Sequence, residues 1–327
     1  MKTLLFSYFM LVFAVVGMPT LTAEEQAKES VMEGFPPTQA SQATMSNYLQ
    51  IPYSQWAFAN AGAPLNVVMI PRQGKIFELT GPTRPALGNF SVSDAAGKTM
   101  AFEDLFAQNY ADGLVVVQGE ELLYEKYFRH LDAHGQHIWF SMSKSLASTA
   151  LGLLVEAGKI DLSASPTKYI PELKGSGFDR VTVQHVLDMA SSIDFNENYT
   201  DVNSDFLVHY APALNLVWLK GAADVKPGET QIYGVHDFLT HFIKPDLKRQ
   251  PGDNFDYNSS NADVLGWLIS RVSGQPFQDY IQQNIWSKIG AEHDAYIAVD
   301  RAFMPAVTGG MNSTTRDAAR FGMMIRD

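Results

Sequence analysis

The chain contains no cysteine. That absence excludes a thiol nucleophile, a disulfide framework, a cysteine-bound zinc and a lipidated cysteine. Basic residues are also scarce, with 24 Lys and Arg against 35 Asp and Glu for a net charge of −11. A nucleic-acid partner would need a basic stripe. The densest one, Lys244 to Arg249, is broken by Pro245 and Asp246 and reads as a solvated loop. Neither His-Glu-x-x-His nor Gly-x-Ser-x-Gly occurs, so zinc-hydrolase and α/β-hydrolase readings lack support. His130, His134 and His137 fall in a segment interrupted by Gly135, the pattern of a linking loop rather than a metal-binding helix. No metal and no cofactor is expected. The one long apolar run is N-terminal: Lys2, then Leu4 to Val16, then Thr20-Leu21-Thr22-Ala23. This is the layout of a secretory signal cut after Ala23, and it is shorter than the roughly 20 apolar residues a bilayer span needs. The expected location is periplasmic or secreted, with no stable membrane span after cleavage.

What is present suits a globular protein. Of 327 residues, 46% are hydrophobic and 18% charged, enough for one large or two closely packed domains. Residues 24–60 are polar and irregular, with Pro36-Pro37, and read as a surface extension. No motif stands out in 61–100, so the N-terminal extension is drawn as 24–100 and the main domain as 101–327. Glu103 to Tyr110 suits a short helix. Gly113-Leu114-Val115-Val116-Val117 and Leu122 to Phe128, separated by Gln118-Gly119-Glu120-Glu121, read as a β-hairpin whose first strand is buried. Helical signals dominate from Ser141 to about Ile289, with Thr182 as a cap and helices over 261–272 and 277–288. A last amphipathic helix is expected over 313–326, after the Gly309-Gly310 turn.

Two chemical constellations stand out. Ser141-Met142-Ser143-Lys144 opens an apolar helix after the lead-in Ile138-Trp139-Phe140. Residues three apart share a helix face, so Lys144 can reach the Ser141 hydroxyl. A serine is a weak nucleophile without a base beside it, and a helix start offers unpaired N–H groups that favour developing negative charge. The same pattern recurs as Ser165-Pro166-Thr167-Lys168, but that copy precedes a proline in a turn-rich stretch and reads as loop. The second constellation is Tyr257-Asn258-Ser259 ahead of the helix at 261–272. A tyrosine can exchange protons with a substrate when a cation lies near, and Ser259 can hydrogen-bond a lysine or a substrate carbonyl.

These segments resemble successive landmarks of the β-lactamase-related serine hydrolases: Ser141-Met142-Ser143-Lys144-Ser145, Tyr257-Asn258-Ser259 with Asp263-Val264-Leu265-Gly266, and Gly309-Gly310-Met311-Asn312-Ser313 through Asp317. Val181 to Ser192 is similar to the family's intervening helix and turn. The resemblance implies an α+β fold of the β-lactamase/transpeptidase type, an antiparallel sheet flanked by helices with an inserted helical region. It implies Ser141 as nucleophile, Lys144 and Tyr257 sharing the proton, an acyl-enzyme, and the Ser141 N–H as part of an oxyanion hole. Tyr-x-Ser in place of Tyr-x-Asn, together with Phe195-Asn196-Glu197-Asn198-Tyr199, looks closer to the esterase and 6-aminohexanoate-oligomer hydrolase branch, and that resemblance implies that Tyr199 faces the cleft and Ser259 binds substrate. The expected partner is a small-molecule ester or amide. β-Lactamase or D,D-peptidase activity is the alternative within enzymes, and a non-catalytic binding or sensor module the alternative outside them. The family's late Lys-Thr-Gly strand has no counterpart after Gly310, so the chain is expected to stop before that strand and to be inactive as it stands. The oligomeric state stays open.

Overall fold

Val67-Val68-Met69-Ile70 and Ala295-Tyr296-Ile297-Ala298 combine β-branched, aromatic and small apolar side chains, which suit a pleated, buried surface. They pair antiparallel, Val67 opposite Ala298 and Ile70 opposite Ala295. The computed structural model describes residues 31–216 and 232–326; the expected signal segment, 1–23, lies outside them. The described strands are β1 (Val67–Ile70), β2 (Ser91–Ser93), β3 (Thr99–Ala101), β4 (Gly113–Gln118), β5 (Glu121–Tyr127), β6 (His137–Ile138), β7 (Ile193–Asp194), β8 (Lys244–Pro245), β9 (Ala295–Ala298) and β10 (Met311–Ser313). A four-stranded antiparallel sheet runs β1-β9-β10-β6, and the other strands form three separate pairs.

The sheet corrects the expected N-terminal extension. Its edge strand β1 belongs to that segment, and Tyr48, Ala57, Ala61 and Leu65 lie in the main core. Phe58 packs edge-to-face on Phe140 at 4.9 Å, and its carbonyl accepts the Ile138 N–H at 3.0 Å. Residues 31–70 therefore buttress the lead-in to Ser141. Only Val67 to Ile70 reads as a strand; the apolar residues before it mix buried positions with exposed ones such as Phe35 and Ile51, so the sequence alone does not mark which of them face the core.

The hairpin forms as β4 and β5, with a register shift between Val116 and Val117. The fully buried side chains are on the second strand, Leu122, Leu123 and Tyr124, whereas Leu114 to Val117 are only half-buried. The reason is local packing: Leu122 N–H donates to Thr80 O at 2.9 Å, and the Tyr124 hydroxyl donates to Glu103 Oε1 at 2.5 Å. Another correction falls at 311–313. Met311–Ser313 is strand β10 and the last helix begins at Thr315, because Asn312 pairs with both Ile138 and Tyr296. The basic stretch is likewise no free loop. Lys244–Pro245 pairs with Ile193–Asp194, and Arg249 bridges Asp246 and Asp256 at 2.7 and 2.5 Å.

Two helices carry the core beside the sheet. Ser143–Glu156 buries Leu146, Ala147, Ala150, Leu151 and Leu154, a single stripe at helical spacing. Ser259–Ser273 is buried on every side from Ser259 to Ile269, so it runs through the interior and packs on the first helix. It stops at Gly274, which takes the left-handed conformation and donates its N–H to Ser270 O.

Gly266 lets that inner helix approach the 306–309 turn. A Cβ there would lie 2.4 Å from Val307 Cγ2 and 3.1 Å from Val307 Cβ, and Val307 is itself in the core. Gly266→Ala is expected to lower stability by about 1–2 kcal/mol, the overpacking cost reduced by alanine's better helix propensity. Thermal melts check this; an unchanged Tm would mean that Val307 swings aside freely.

Candidate active site

Ser141 sits in the short 3-10 turn Phe140–Met142 that leads into the Ser143–Glu156 helix. The turn is held from behind by strand β10. Trp139 N–H donates to Met311 O at 2.7 Å, Trp139 Nε1 to Ser313 Oγ at 2.9 Å, and Met311 N–H to the buried Ser143 Oγ at 3.1 Å. Phe140 adopts a φ of 44°, a conformation that costs a bulky residue energy and is concentrated at functional sites. Ser141 and Met142 are exposed while Ser143 is buried, so the turn presents the Ser141 hydroxyl to the outside.

Lys144 Nζ donates to Ser141 Oγ at 3.0 Å and to Thr308 O at 2.9 Å. The Tyr257 hydroxyl donates to the same Ser141 Oγ at 2.8 Å, and Lys144 Nζ lies 5.0 Å from the centre of the Tyr257 ring. The three expected catalytic side chains are thus brought together on one oxygen. Tyr257 is positioned by its neighbours. Asp256 N–H donates to Met189 O at 2.7 Å, and the Asp256 carboxylate holds Arg249, whose other nitrogen donates to Ile193 O at 3.1 Å. On the other side Asn258 caps the inner helix, accepting from Ser260 N–H at 3.1 Å.

Ser259 and Tyr199 share one carboxylate partner, Glu197. Ser259 is buried, and both its N–H and its hydroxyl donate to Glu197, at 2.6 and 2.5 Å. Its proton goes to a carboxylate rather than toward Lys144 or a substrate, because an acid with two free oxygens is the stronger acceptor. Tyr199 is half-buried and its hydroxyl also donates to Glu197 Oε1. Both residues thus meet on Glu197. Burial raises the Glu197 carboxyl above its ordinary range, opposed by the Ser259 and Tyr199 hydrogen bonds and by the Lys144 charge. Sequence reasoning quoted Glu197 only as part of a segment; its partner Ser259 is 62 positions away, so no local signal marked the contact.

A second carboxylate was missed. Asp263 lies six residues after Tyr257 on the buried helix. Its Oδ1 accepts the Thr308 N–H at 3.1 Å, and its Oδ2 accepts the hydroxyl of the fully buried Tyr210. Thr308 O is the acceptor for Lys144. An acid directly ahead of the apolar run Val264 to Ile269 was the available signal, since buried carboxylates are rare without partners. Elsewhere, His137 is tied to Asp112 at 2.9 Å and His134 to His293 at 3.1 Å. Among the described residues no group of three or more His, Asp or Glu is placed to hold a metal, and no helix is long and apolar enough to cross a membrane. Ser165, the second Ser-x-x-Lys serine, accepts from Thr167 N–H at 3.2 Å and caps a turn.

Chemically, the cluster offers a solvent-facing hydroxyl with an amine and a phenol on it. Removing the Ser141 proton yields an alkoxide that can attack a carbonyl, and either neighbour lies within proton-transfer distance.

The family model described as Beta-lactamase matches residues 102–327. A 6-aminohexanoate-dimer hydrolase from Paenarthrobacter ureafaciens is 33% identical over 294 residues, which is 90% of this chain and 70% of that protein. A solved Bacillus anthracis structure, named as a candidate 6-aminohexanoate-dimer hydrolase, superposes with a TM-score of 0.78 at 25% identity, covering 88% of this chain and 72% of the other. A penicillin-binding protein structure from Bacillus halodurans shares the fold at 20% identity, with a TM-score of 0.51 over 68% of this chain and 73% of the other. With sequence and fold in agreement, the chain belongs to the β-lactamase family and is a serine hydrolase.

Proposed function

We propose that the protein hydrolyses a short, linear ester or amide through an acyl-enzyme on Ser141. The observation that carries the reading is the convergence of Tyr257 Oη and Lys144 Nζ on Ser141 Oγ at 2.8 and 3.0 Å. The Ser141 proton passes to the Lys144–Tyr257 pair as Oγ bonds to the substrate carbonyl carbon. The Ser141 backbone N–H supports the tetrahedral oxyanion. Its collapse breaks the bond to the alcohol or amine, and the pair returns the proton to that leaving group. Water, deprotonated by the same pair, then releases the acid and regenerates Ser141. Similarity to the Paenarthrobacter ureafaciens protein, over 70% of its length, favours a linear amide of the aminohexanoate type or a small ester over a β-lactam or a D-Ala-D-Ala peptide. Glu197, Ser259 and Tyr199 form one wall of the substrate site in this reading.

A hydrolysis panel of p-nitrophenyl acetate and butyrate, 6-aminohexanoate dimer, a D-Ala-D-Ala peptide and a chromogenic cephalosporin tests the proposal. Turnover of the first three at rates well above the last two is the expected result. Preferred turnover of the cephalosporin or the D-Ala-D-Ala peptide would overturn the substrate assignment. We also propose export from the cytoplasm, supported by the apolar Leu4 to Val16 segment and the following Thr20 to Ala23; recovery of the uncleaved protein in the cytoplasmic fraction would refute it.

A further inference from the structure

We infer that Asp263 is a positioning residue of the reaction, holding the Thr308 backbone so that it anchors Lys144 against Ser141 and placing an anion behind that lysine. The inference rests on reading Ser141, Lys144 and Tyr257 as the reacting set. Its structural basis is a continuous path. Asp263 Oδ1 accepts the Thr308 N–H at 3.1 Å, Thr308 O accepts Lys144 Nζ at 2.9 Å, and Lys144 Nζ donates to Ser141 Oγ at 3.0 Å. The turn carrying Thr308 has few other ways to move. Val307 is wedged on Gly266, where even a Cβ would collide at 2.4 Å, and Gly310 leaves no room for one beside Ala306 O at 2.8 Å. Asp263 and Gly266 lie one turn apart on the same helix, so a single element fixes the turn by a hydrogen bond and by close packing.

Position alone does not need a carboxylate; an amide could accept the Thr308 N–H as well. The acid brings charge. A fully buried anion is costly unless paired and hydrogen-bonded. The charged and titratable groups facing Asp263 are Tyr210, which donates to it, Lys144, whose positive charge favours the anion, and Asp300, which opposes it. Glu197 acts on the same cluster through Tyr210. Burial pushes the Asp263 carboxyl up to about 7, against the pull of Tyr210, Thr308 and Lys144. A carboxyl held there changes charge around neutral pH, and it lies close enough to Lys144 for the two charges to interact. As an anion it places a negative charge near the Lys144 amine; as a neutral acid it withdraws that charge.

The test is the pH profile of kcat/KM for p-nitrophenyl butyrate, comparing the full chain with Asp263→Asn and Tyr210→Phe. Asparagine keeps an acceptor for Thr308 and removes the charge. The acid limb should move to lower pH by about 0.5 unit or more, because loss of a nearby anion favours deprotonation of the catalytic pair. Tyr210→Phe removes a hydrogen bond that stabilises the anion, so its limb should move the same way by a smaller amount. A purely structural role would lower the rate and leave both limbs in place, and folded variants with unmoved limbs overturn the inference. If neither variant folds, Asp263 is a structural residue and the inference is likewise wrong. The reading of the reacting set fails separately: activity that survives Ser141→Ala would sink that reading whatever the limbs do.

Discussion

Ser141→Ala is expected to abolish covalent labelling by a fluorophosphonate probe and to lower kcat/KM by about 10⁴-fold or more, the scale seen when a serine hydrolase loses its nucleophile. Ser141 Oγ accepts from both Tyr257 and Lys144, and it stands exposed at the turn before its helix. Among the described residues, the nearby serines are placed differently. Ser143, two residues on, is buried and already accepts the Met311 N–H at 3.1 Å. Ser259 is committed to Glu197 at 2.5 Å. Ser165 caps a turn, accepting from Thr167 N–H at 3.2 Å, so Ser165→Ala should leave labelling and rate unchanged. Folding should not confuse the result, since an exposed hydroxyl replaced by hydrogen shifts stability by less than about 0.5 kcal/mol. Peptide mapping of the labelled protein decides the matter. A probe adduct on Ser141→Ala, at any other serine, would show that the nucleophile has been misassigned.

How much of this site could be read from the chain depends on sequence distance. Ser141 and Lys144 are three apart, and helix geometry alone places them in contact. Tyr257 meets Ser141 across 116 positions, and no periodicity predicts such a pairing; resemblance to a family supplied it. Ser259 shows the limit of that route. The motif placed it correctly beside Tyr257, but its hydrogen bonds depend on Glu197, and only the folded chain shows which partner wins. Asp263 and Gly266 were quoted as parts of a motif, but their purpose appears only once Thr308 and Val307 are seen to pack on them. The helices were legible because their apolar stripes and caps are local: Thr182 caps Val183–Leu187 with His185 answering in a capping box. The N-terminal segment was not. Tyr48, Ala57 and Ala61 are buried by contacts with distant elements, while exposed or half-buried apolar residues between them, Ile51 and Trp56 among them, leave the inward face unmarked in the sequence.

Lys144→Met and Tyr257→Phe are each expected to lower kcat by about 10²–10⁴-fold, the usual contribution of a general acid–base group. Their combination should cost much less than the product of the two, because both act on one proton at Ser141 Oγ. The two changes should differ in their effect on stability. Tyr257 is 39% exposed, so its hydroxyl can be lost with little change in Tm. Lys144 also donates to Thr308 O at 2.9 Å, and methionine would leave that carbonyl without its charged donor, at a cost of about 1–3 kcal/mol. A double-mutant cycle on kcat for p-nitrophenyl butyrate, with melts of all four proteins, measures both effects. Fully additive losses would mean that Lys144 and Tyr257 serve different steps. A Tyr257→Phe variant with an unchanged rate would remove the phenol from the mechanism and leave Lys144 as the only group positioned to take the Ser141 proton among those in contact with it.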